Sequence, residues 1–410
     1  MPIELKGIDL RRPYRFAQIA LFLALMANAV CQSFLFVVLP PLGRRLDFTD
    51  IQTGAILSAS ALVLMIAAPA WGYLTERIGR RPVLMVALTT TLIAPLAFSL
   101  IIGYRQDKVI GAMLALVLFF AARSVQTLLS AGLLPASQAY IADITTPEAR
   151  ATGMGLLSAA YGLGAIIGSA LAWGIGGSDI RLAFLLISGF SGLALASVML
   201  RAPEPQRMTE QDIGHAHRNA LDFSCIWPFF AITLVSITAY SIVQQVVALY
   251  LQDNLGFTSD DSIAKAGLAL MATSFAMIVV QSVVLSVLTV RSEILLSTGA
   301  LLAAIALCLA AFAQNYVALV CTLVLLGVAL GLMLPGNLAS LSLRAGPDAQ
   351  GKVAGLNVVG QGLGLAIGPL SGAALHQLSP RTPFLTAALL LALAFLLALA
   401  ALRMHNPEAQ

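Results

Sequence analysis

Apolar runs of roughly twenty residues, separated by short polar or charged stretches, recur along the whole chain. A bilayer hydrocarbon core of about 30 Å takes roughly 20 apolar residues of helix to cross. The pattern predicts twelve spanning helices, near 16–42, 51–73, 83–103, 110–139, 152–176, 181–201, 225–251, 265–289, 293–313, 315–341, 353–376 and 382–402. Between the sixth and seventh, Arg201 to Asp222 is polar and holds Pro203, Pro205, His215, His217 and Arg218. The expected organisation is therefore a first six-helix bundle over 1–201, a linker over 202–224, a second bundle over 225–403 and a tail over 404–410. The fold class is all-α and integral to the membrane.

Composition narrows this further. The 410 residues are 59% hydrophobic and 10% charged, whereas a soluble surface needs about 25% charge. The net charge of +4 does not point to nucleic acid, because the basic residues are scattered in short loops. They read instead as topology signals. With the N-terminus in the cytoplasm, about fifteen of the 23 Lys and Arg fall on that side and about seven outside. Both termini and the linker are expected to be cytoplasmic, in a cell inner membrane. Lys6, Arg11, Arg12 and Arg15 precede a first span too long for a cleaved signal, so that span is expected to stay in the membrane. Cys31, Cys225, Cys308 and Cys321 lie in or beside apolar runs without paired spacing. They are expected to be buried free thiols, with no disulfide and no metal site. No cofactor is implied, and nothing resembles a nucleotide-binding loop.

An internal repeat supports two halves. A shift of 200 residues aligns Leu134-Pro135 with Leu334-Pro335, Gly155-Leu156 with Gly355-Leu356, and Gly162-Leu163-Gly164 with Gly362-Leu363-Gly364. The same register places Ile167-Gly168 on Ile367-Gly368, and Pro147 and Ala149 on Pro347 and Ala349. Phe48-Thr49 before the second span is matched by Phe257-Thr258 before the eighth.

The densest charge inside the apolar part is the hinge Gly72-Tyr-Leu-Thr-Glu-Arg-Ile-Gly-Arg-Arg-Pro82. Gly72 is expected to let two helices approach, and Gly79 to make a turn that a side chain would crowd. Glu76, Arg77, Arg80 and Arg81 must pair or face water. This stretch resembles the signature loop of the major facilitator superfamily of secondary transporters, Gly-x-x-x-Asp-Arg-x-Gly-Arg-Arg, with Glu76 in place of the aspartate. The resemblance covers nearly the whole chain. It implies two six-helix bundles rocking about a central site, each bundle built from inverted three-helix repeats. It also implies a cytoplasmic gate in which Asp143 and Glu148, with Arg150 in the turn Thr145-Thr146-Pro147-Glu148-Ala149-Arg150, pair with Arg77, Arg80 or Arg81. On that reading Arg77→Ala abolishes transport without preventing insertion. In the second half Val290-Arg291-Ser292-Glu293 is only a remnant, while Asp348 keeps an acid after Pro347, so the gate is expected to be asymmetric.

Gly155, Gly164 and Gly168 in the fifth span resemble the glycine signature of the family's drug-proton antiporters, with Ser169, Ala172 and Trp173 as departures. Gly355, Gly364, Gly368, Pro369 and Gly372 form a fuller version in the eleventh. Small residues four apart let helices pack backbone to backbone and bend at the proline, so Gly164, Gly168, Gly364, Gly368 and Pro369 are candidate hinges. Ordinary helix packing explains the same pattern.

Arg123 is the charged residue placed near mid-membrane, where it costs about 2.5 to 3.5 kcal/mol on insertion scales. With Gln126, Thr127 and Ser130 it forms a stripe on one helix face. Arg123 with Gln126 resembles the family's Arg-x-x-Gln-Gly signature, associated with proton coupling and substrate charge, with Thr127 in place of the glycine. A structural arginine bonded to carbonyls is the alternative. All nineteen Asp and Glu fall in loops or at span ends. The embedded acid common in proton-coupled relatives is thus missing, and a lone central arginine favours an anionic group on the substrate. His376, near the outer end of the eleventh span, reads as an interfacial residue rather than a proton carrier. Asn28 with Gln32, Tyr240 with Gln244, Asn337 with Ser340, and Asn357 with Gln361 are polar pairs that line a cavity or bond helix to helix.

The expectation is a monomeric secondary transporter that exports a small amphipathic organic compound against protons, with an anionic or zwitterionic substrate such as a siderophore or metabolite. Proton-linked uptake is the alternative within the fold. A polytopic membrane enzyme would rest on His215 and His217 near Asp212, and a non-transporting sensor remains open because fold alone does not fix function.

Overall fold

The computed structural model describes residues 16–205, 223–284, 290–345 and 349–403. These residues are helical, with no strand among them. The helices are α1 (Ala17–Arg45), α2 (Asp50–Ile78), α3 (Arg80–Gln106), α4 (Ala112–Ser130), α5 (Leu133–Ile144), α6 (Pro147–Leu171) and α7 (Ile180–Arg201). They continue as α8 (Phe223–Asp253), α9 (Ser259–Val279), α10 (Ser292–Ala311), α11 (Tyr316–Ala345), α12 (Gln350–Leu378) and α13 (Thr382–Arg403). One turn of π-helix follows α6 at Ala172–Gly176 and another follows α9 at Val280–Val284.

Twelve of the described segments are long and apolar enough to cross a membrane, in the order the hydrophobic pattern predicts. The fourth is α4 and α5 together, interrupted at Ala131 and Gly132. A methyl at Gly132 would lie 2.6 Å from Val83 Cγ1 and 3.1 Å from the Trp71 ring, so the interruption sits where two side chains press on the backbone. The largest change of boundary is the eighth span, which starts at Ser259 rather than near residue 265. Its first turn carries Asp260 and Asp261, favourable at a helix N-terminus, and Thr258 caps it by accepting from the Asp261 N–H at 3.2 Å. Thr49 caps α2 in the same way, in a reciprocal box with Gln52. The repeated Phe-Thr pairs thus mark two helix starts.

The chain divides into two compact units, one of Met1–Leu35, Val63–Leu171 and Ser178–Gly214, the other of Phe36–Leu62, Ala172–Gly177 and His215–Gln410. In the first unit Leu21, Leu25, Leu84, Leu88, Leu133 and Tyr140 pack into one buried core. Phe98 stacks on Phe119 with centroids 4.4 Å apart, and Phe184 meets both Phe34 and Phe98 edge-on. In the second unit Tyr250 meets Phe384 edge-on at 5.0 Å, and its hydroxyl donates to the Ala313 carbonyl at 2.9 Å.

The two units solve one packing problem in parallel. α6 lies so close to α1 that a methyl at Gly168 would sit 2.5 Å from the Val30 carbonyl oxygen. α12 lies as close to α8, where a methyl at Gly364 would sit 2.9 Å from the Thr238 nitrogen. Across each contact a serine on the partner helix donates to a carbonyl, Ser33 to Ala165 at 2.8 Å and Ser241 to Gly364 at 3.0 Å. Gly155 and Gly355 do not take part: a methyl at either would meet nothing within 4 Å. They lie nine residues before Gly164 and Gly364, about two and a half helical turns, and therefore on the opposite face. Gly72 also departs from expectation, because a methyl there would meet nothing within 4 Å. Cys31 is buried, whereas Cys308 and Cys321 are exposed free thiols rather than buried ones. The side chain of Cys225, and Asp348 as a whole, lie outside the described residues.

Candidate functional site

In the first unit, α4 turns its polar stripe inward. Arg123, Gln126, Thr127 and Ser130 are all buried, with Arg123 only 4% exposed. Arg123 Nη1 donates to Gln126 Oε1 at 2.8 Å, and Gln126 Nε2 reaches Cys31 Sγ on α1 at 3.3 Å. Thr127 donates back to the Arg123 carbonyl at 3.0 Å, and Ser130 to the Thr127 carbonyl at 3.5 Å. Arg123 Nε has no hydrogen-bond partner among the described residues. No ion pair to Arg123 occurs among them either. A guanidinium held in this way keeps unspent donors and an uncompensated charge, which costs free energy in a medium of low dielectric. Asn28 on α1 donates to the Tyr161 hydroxyl of α6 at 3.3 Å, and Gln32 is half-buried one turn further along.

The second unit assembles its polar side chains without a charge. Asn337 Nδ2 on α11 donates to the Phe229 carbonyl at 3.0 Å and to Thr233 Oγ1 at 2.8 Å. Thr233 in turn donates to Asn357 Oδ1 on α12 at 2.8 Å. This chain ties three helices together, and both amide hydrogens of Asn337 are committed to it. Asn337 Oδ1 is buried with no partner among the described residues. Ser340 bonds to Ser292 at 3.0 Å. Tyr240 is near Gln244, one turn along its own helix, and Ser274 on α9. Gln361 is exposed and stands apart from the Asn357 chain.

A charged group gathers around the start of α3. Arg80 Nε pairs with Asp143 Oδ2 at 3.0 Å, with both side chains largely buried, and Arg80 Nη1 donates to the Thr75 carbonyl at 3.0 Å. Arg81 Nη2 donates to the Met199 carbonyl at 2.6 Å. Glu204, in the stretch assigned to a linker, accepts from the backbone N–H groups of Arg80 and Arg81 at 2.7 and 2.8 Å. Its carboxylate caps the N-terminus of α3 and lies against Gly79, whose φ of 104° and lack of a side chain the arrangement requires. Arg77 and Glu76 are exposed, and the Arg77 guanidinium lies 4.6 Å from the Tyr73 ring centroid. Arg150 Nη2 reaches the Ala142 carbonyl at 3.4 Å, and the Glu148 side chain lies outside the described residues. The corresponding ion pair in the second half, Arg291 with Glu293 at 3.4 Å, joins residues two apart at the start of α10, with Arg291 exposed.

A second ionic group has no counterpart in the sequence reading. In the second unit Arg44, at the end of α1, binds both oxygens of Asp50 at 2.8 Å and both oxygens of Asp253 at 2.8 and 2.7 Å. His376 Nε2 lies 2.8 Å from Asp253 Oδ2. His376, in the last turn of α12, is 4% exposed and is a buried partner of a carboxylate. Asp253 falls at the end of α8, where the apolar count conceals it, and its three contacts, two from Arg44 and one from His376, depend on three helix ends meeting. Arg45 pairs with Asp260 and donates to Ser259 Oγ at 2.8 Å. Among the described residues no group of His, Cys, Asp and Glu is arranged to hold a metal ion.

Twelve apolar spans, with polar side chains buried inside each unit and ion pairs at helix ends, define a polytopic membrane protein. The chain belongs to the Major Facilitator Superfamily, whose family model matches residues 21–294 and 229–410. It is 28% identical over 390 residues to Multidrug resistance protein 2 of Bacillus subtilis (strain 168), covering 90% of this chain and 92% of that protein. It is 30% identical over 171 residues to the class C tetracycline resistance protein of Escherichia coli, covering 41% of this chain and 40% of that one. Among solved structures, a bacterial homolog of the human lysosomal transporter Spinster superposes with a TM-score of 0.72 at 16% identity, covering 95% of this chain and 97% of that one. The relatives it resembles within the superfamily are named for multidrug and tetracycline resistance. It is a multi-pass membrane transporter.

Proposed function

We propose that the protein exports small amphipathic organic compounds carrying an anionic group, in exchange for protons, by alternating access in a bacterial inner membrane with both termini cytoplasmic. The observation that carries this reading is Arg123, a buried guanidinium with an unpaired Nε and no acid against it among the described residues. A carboxylate or phosphate on the substrate would satisfy both the charge and the free donor, which a cationic drug would not. Gln126 orients the guanidinium, and Asn28 and Gln32 supply neutral hydrogen-bonding groups on the neighbouring helix. Tyr240 and Gln244 offer a second neutral set in the other unit. The Arg80 pair with Asp143 acts as the gate at the start of α3, and the relatives named for multidrug and tetracycline resistance support export over uptake.

Solute flux in proteoliposomes under an imposed pH gradient tests this, with wild type and Arg123→Ala compared across anionic, zwitterionic and cationic compounds. Gradient-driven export of an anionic compound that the substitution removes is the expected result. Gradient-driven movement of cations that Arg123→Ala leaves intact would overturn the anionic substrate and make Arg123 structural.

A further inference from the structure

We propose that His376 and Asp253 form the proton-binding site of this transporter, operated through Arg44. The inference rests on the proton-driven reading above and names the group that reading lacks.

The charges in the cluster do not balance. One cation, Arg44, faces two carboxylates, Asp50 and Asp253, each held through both oxygens. With a neutral imidazole the cluster carries one excess negative charge, in a setting where Asp50 is only 12% exposed at its side chain and His376 only 2%. One proton on His376 removes that excess. Of the other charged side chains nearby, Arg45 pairs with Asp260, and Arg381 on the α12–α13 turn lies over the Phe312 ring at 5.7 Å without an ion pair to the cluster among the described residues.

The geometry assigns the proton to an atom. Asp253 Oδ2 already accepts from Arg44, so as a carboxylate it takes a hydrogen from His376 Nε2. That leaves the lone pair on Nδ1, which is buried and has no hydrogen-bond partner among the described residues. The incoming proton lands there. Histidine is the side chain that ordinarily changes charge between about pH 5 and 8, the range in which a transmembrane proton gradient acts. Because Nδ1 is covered while α1, α8 and α12 are joined by the cluster, it exchanges its proton only when their ends part.

The consequence is a latch set by proton occupancy. With His376 protonated, Asp253 is shared by two cations and the helix ends are held. When the proton leaves, Asp50 and Asp253 compete for Arg44 alone and the contact weakens. A proton taken up with these ends apart therefore drives them together, the step an exporter needs after releasing its substrate on that side.

Full-length protein in detergent, shifted from about pH 8 to about pH 5 in weakly buffered solution with a soluble pH dye, is the first measurement. Wild type should take up about one proton per chain more than His376→Gln, and Asp253→Asn should also change the uptake. The second measurement uses proteoliposomes and the compound that wild type moves best. His376→Gln should lose pH-gradient-driven flux while keeping gradient-free exchange of the same compound, a split that a merely structural histidine would not give. Asp253→Asn gives a second variant with the same expected split should His376→Gln fail to fold. Equal proton uptake by wild type and His376→Gln, or gradient-driven flux intact in His376→Gln, overturns the proposal. Absence of gradient-driven flux in wild type would instead bring down the proton-driven reading itself.

Discussion

The polar interiors of the two units have the same framework and opposite chemistry. In both, a glycine pair four residues apart lets one helix rest on the backbone of another, with a serine hydroxyl closing the contact. In the first unit that framework surrounds Arg123, a cation with donors to spare. In the second it surrounds Thr233, Asn337 and Asn357, neutral groups that use their hydrogens to bond helix to helix. The repeat conserved the scaffold and left the chemistry free to diverge. An arginine with an unpaired donor thus lies in one half, and helix cohesion through amides in the other.

The comparison breaks most sharply at Arg123. Arg123→Ala should lower flux of anionic compounds by roughly 10- to 100-fold, since a hydrogen bond to a charged group is worth about 1.5 to 3 kcal/mol. Flux of uncharged compounds in the same vesicles should change much less. Next come the shared contacts: Gly168→Ala and Gly364→Ala should each destabilise by about 1 to 3 kcal/mol, because the added methyl meets backbone atoms that cannot yield. Thermal unfolding in detergent reads this directly, and a Gly168→Ala protein as stable as wild type would refute the close approach. Asn337→Ala should cost less, on the order of 0.6 to 1.7 kcal/mol, the range for hydrogen bonds between membrane helices. It should leave the preference among anionic and cationic compounds unchanged, where Arg123→Ala shifts it. The smallest effect belongs to Gly155→Ala, with nothing within 4 Å to meet the methyl. It should match wild type in both stability and flux.

Element order was legible because each span must satisfy its backbone within one helix, which writes a twenty-residue apolar period into the sequence. The start of α9 was not, since Asp260 and Asp261 read as loop until Thr258 is seen to cap them. Arg123 stood out because a charge inside an apolar run costs so much that it is rarely accidental. Its bond to Gln126 follows from helical spacing, but Cys31 lies on another helix and no local pattern points to it. The same limit hid Glu204, a residue of the presumed linker that caps α3 more than a hundred positions upstream. It hid the ionic cluster too: Arg44, Asp50, Asp253 and His376 each look like an ordinary span-end residue, and only the meeting of helix ends gives them a joint role. Glycine spacing misled in one respect. Gly155 and Gly355 share the repeat with Gly164 and Gly364, yet the helical period turns them to the far side.

The burial of Cys31 beside Gln126 gives the chain a built-in reporter. Its sulfur sits one hydrogen bond away from the residue that holds Arg123, whereas Cys308 and Cys321 are exposed on the outside of apolar spans. With Cys225, Cys308 and Cys321 replaced by serine, a water-soluble thiol reagent reaches Cys31 only along a path open to water. The rate at which Cys31 is alkylated is therefore a clock for the access of water to Arg123, and on the proposed reading an anionic substrate slows it.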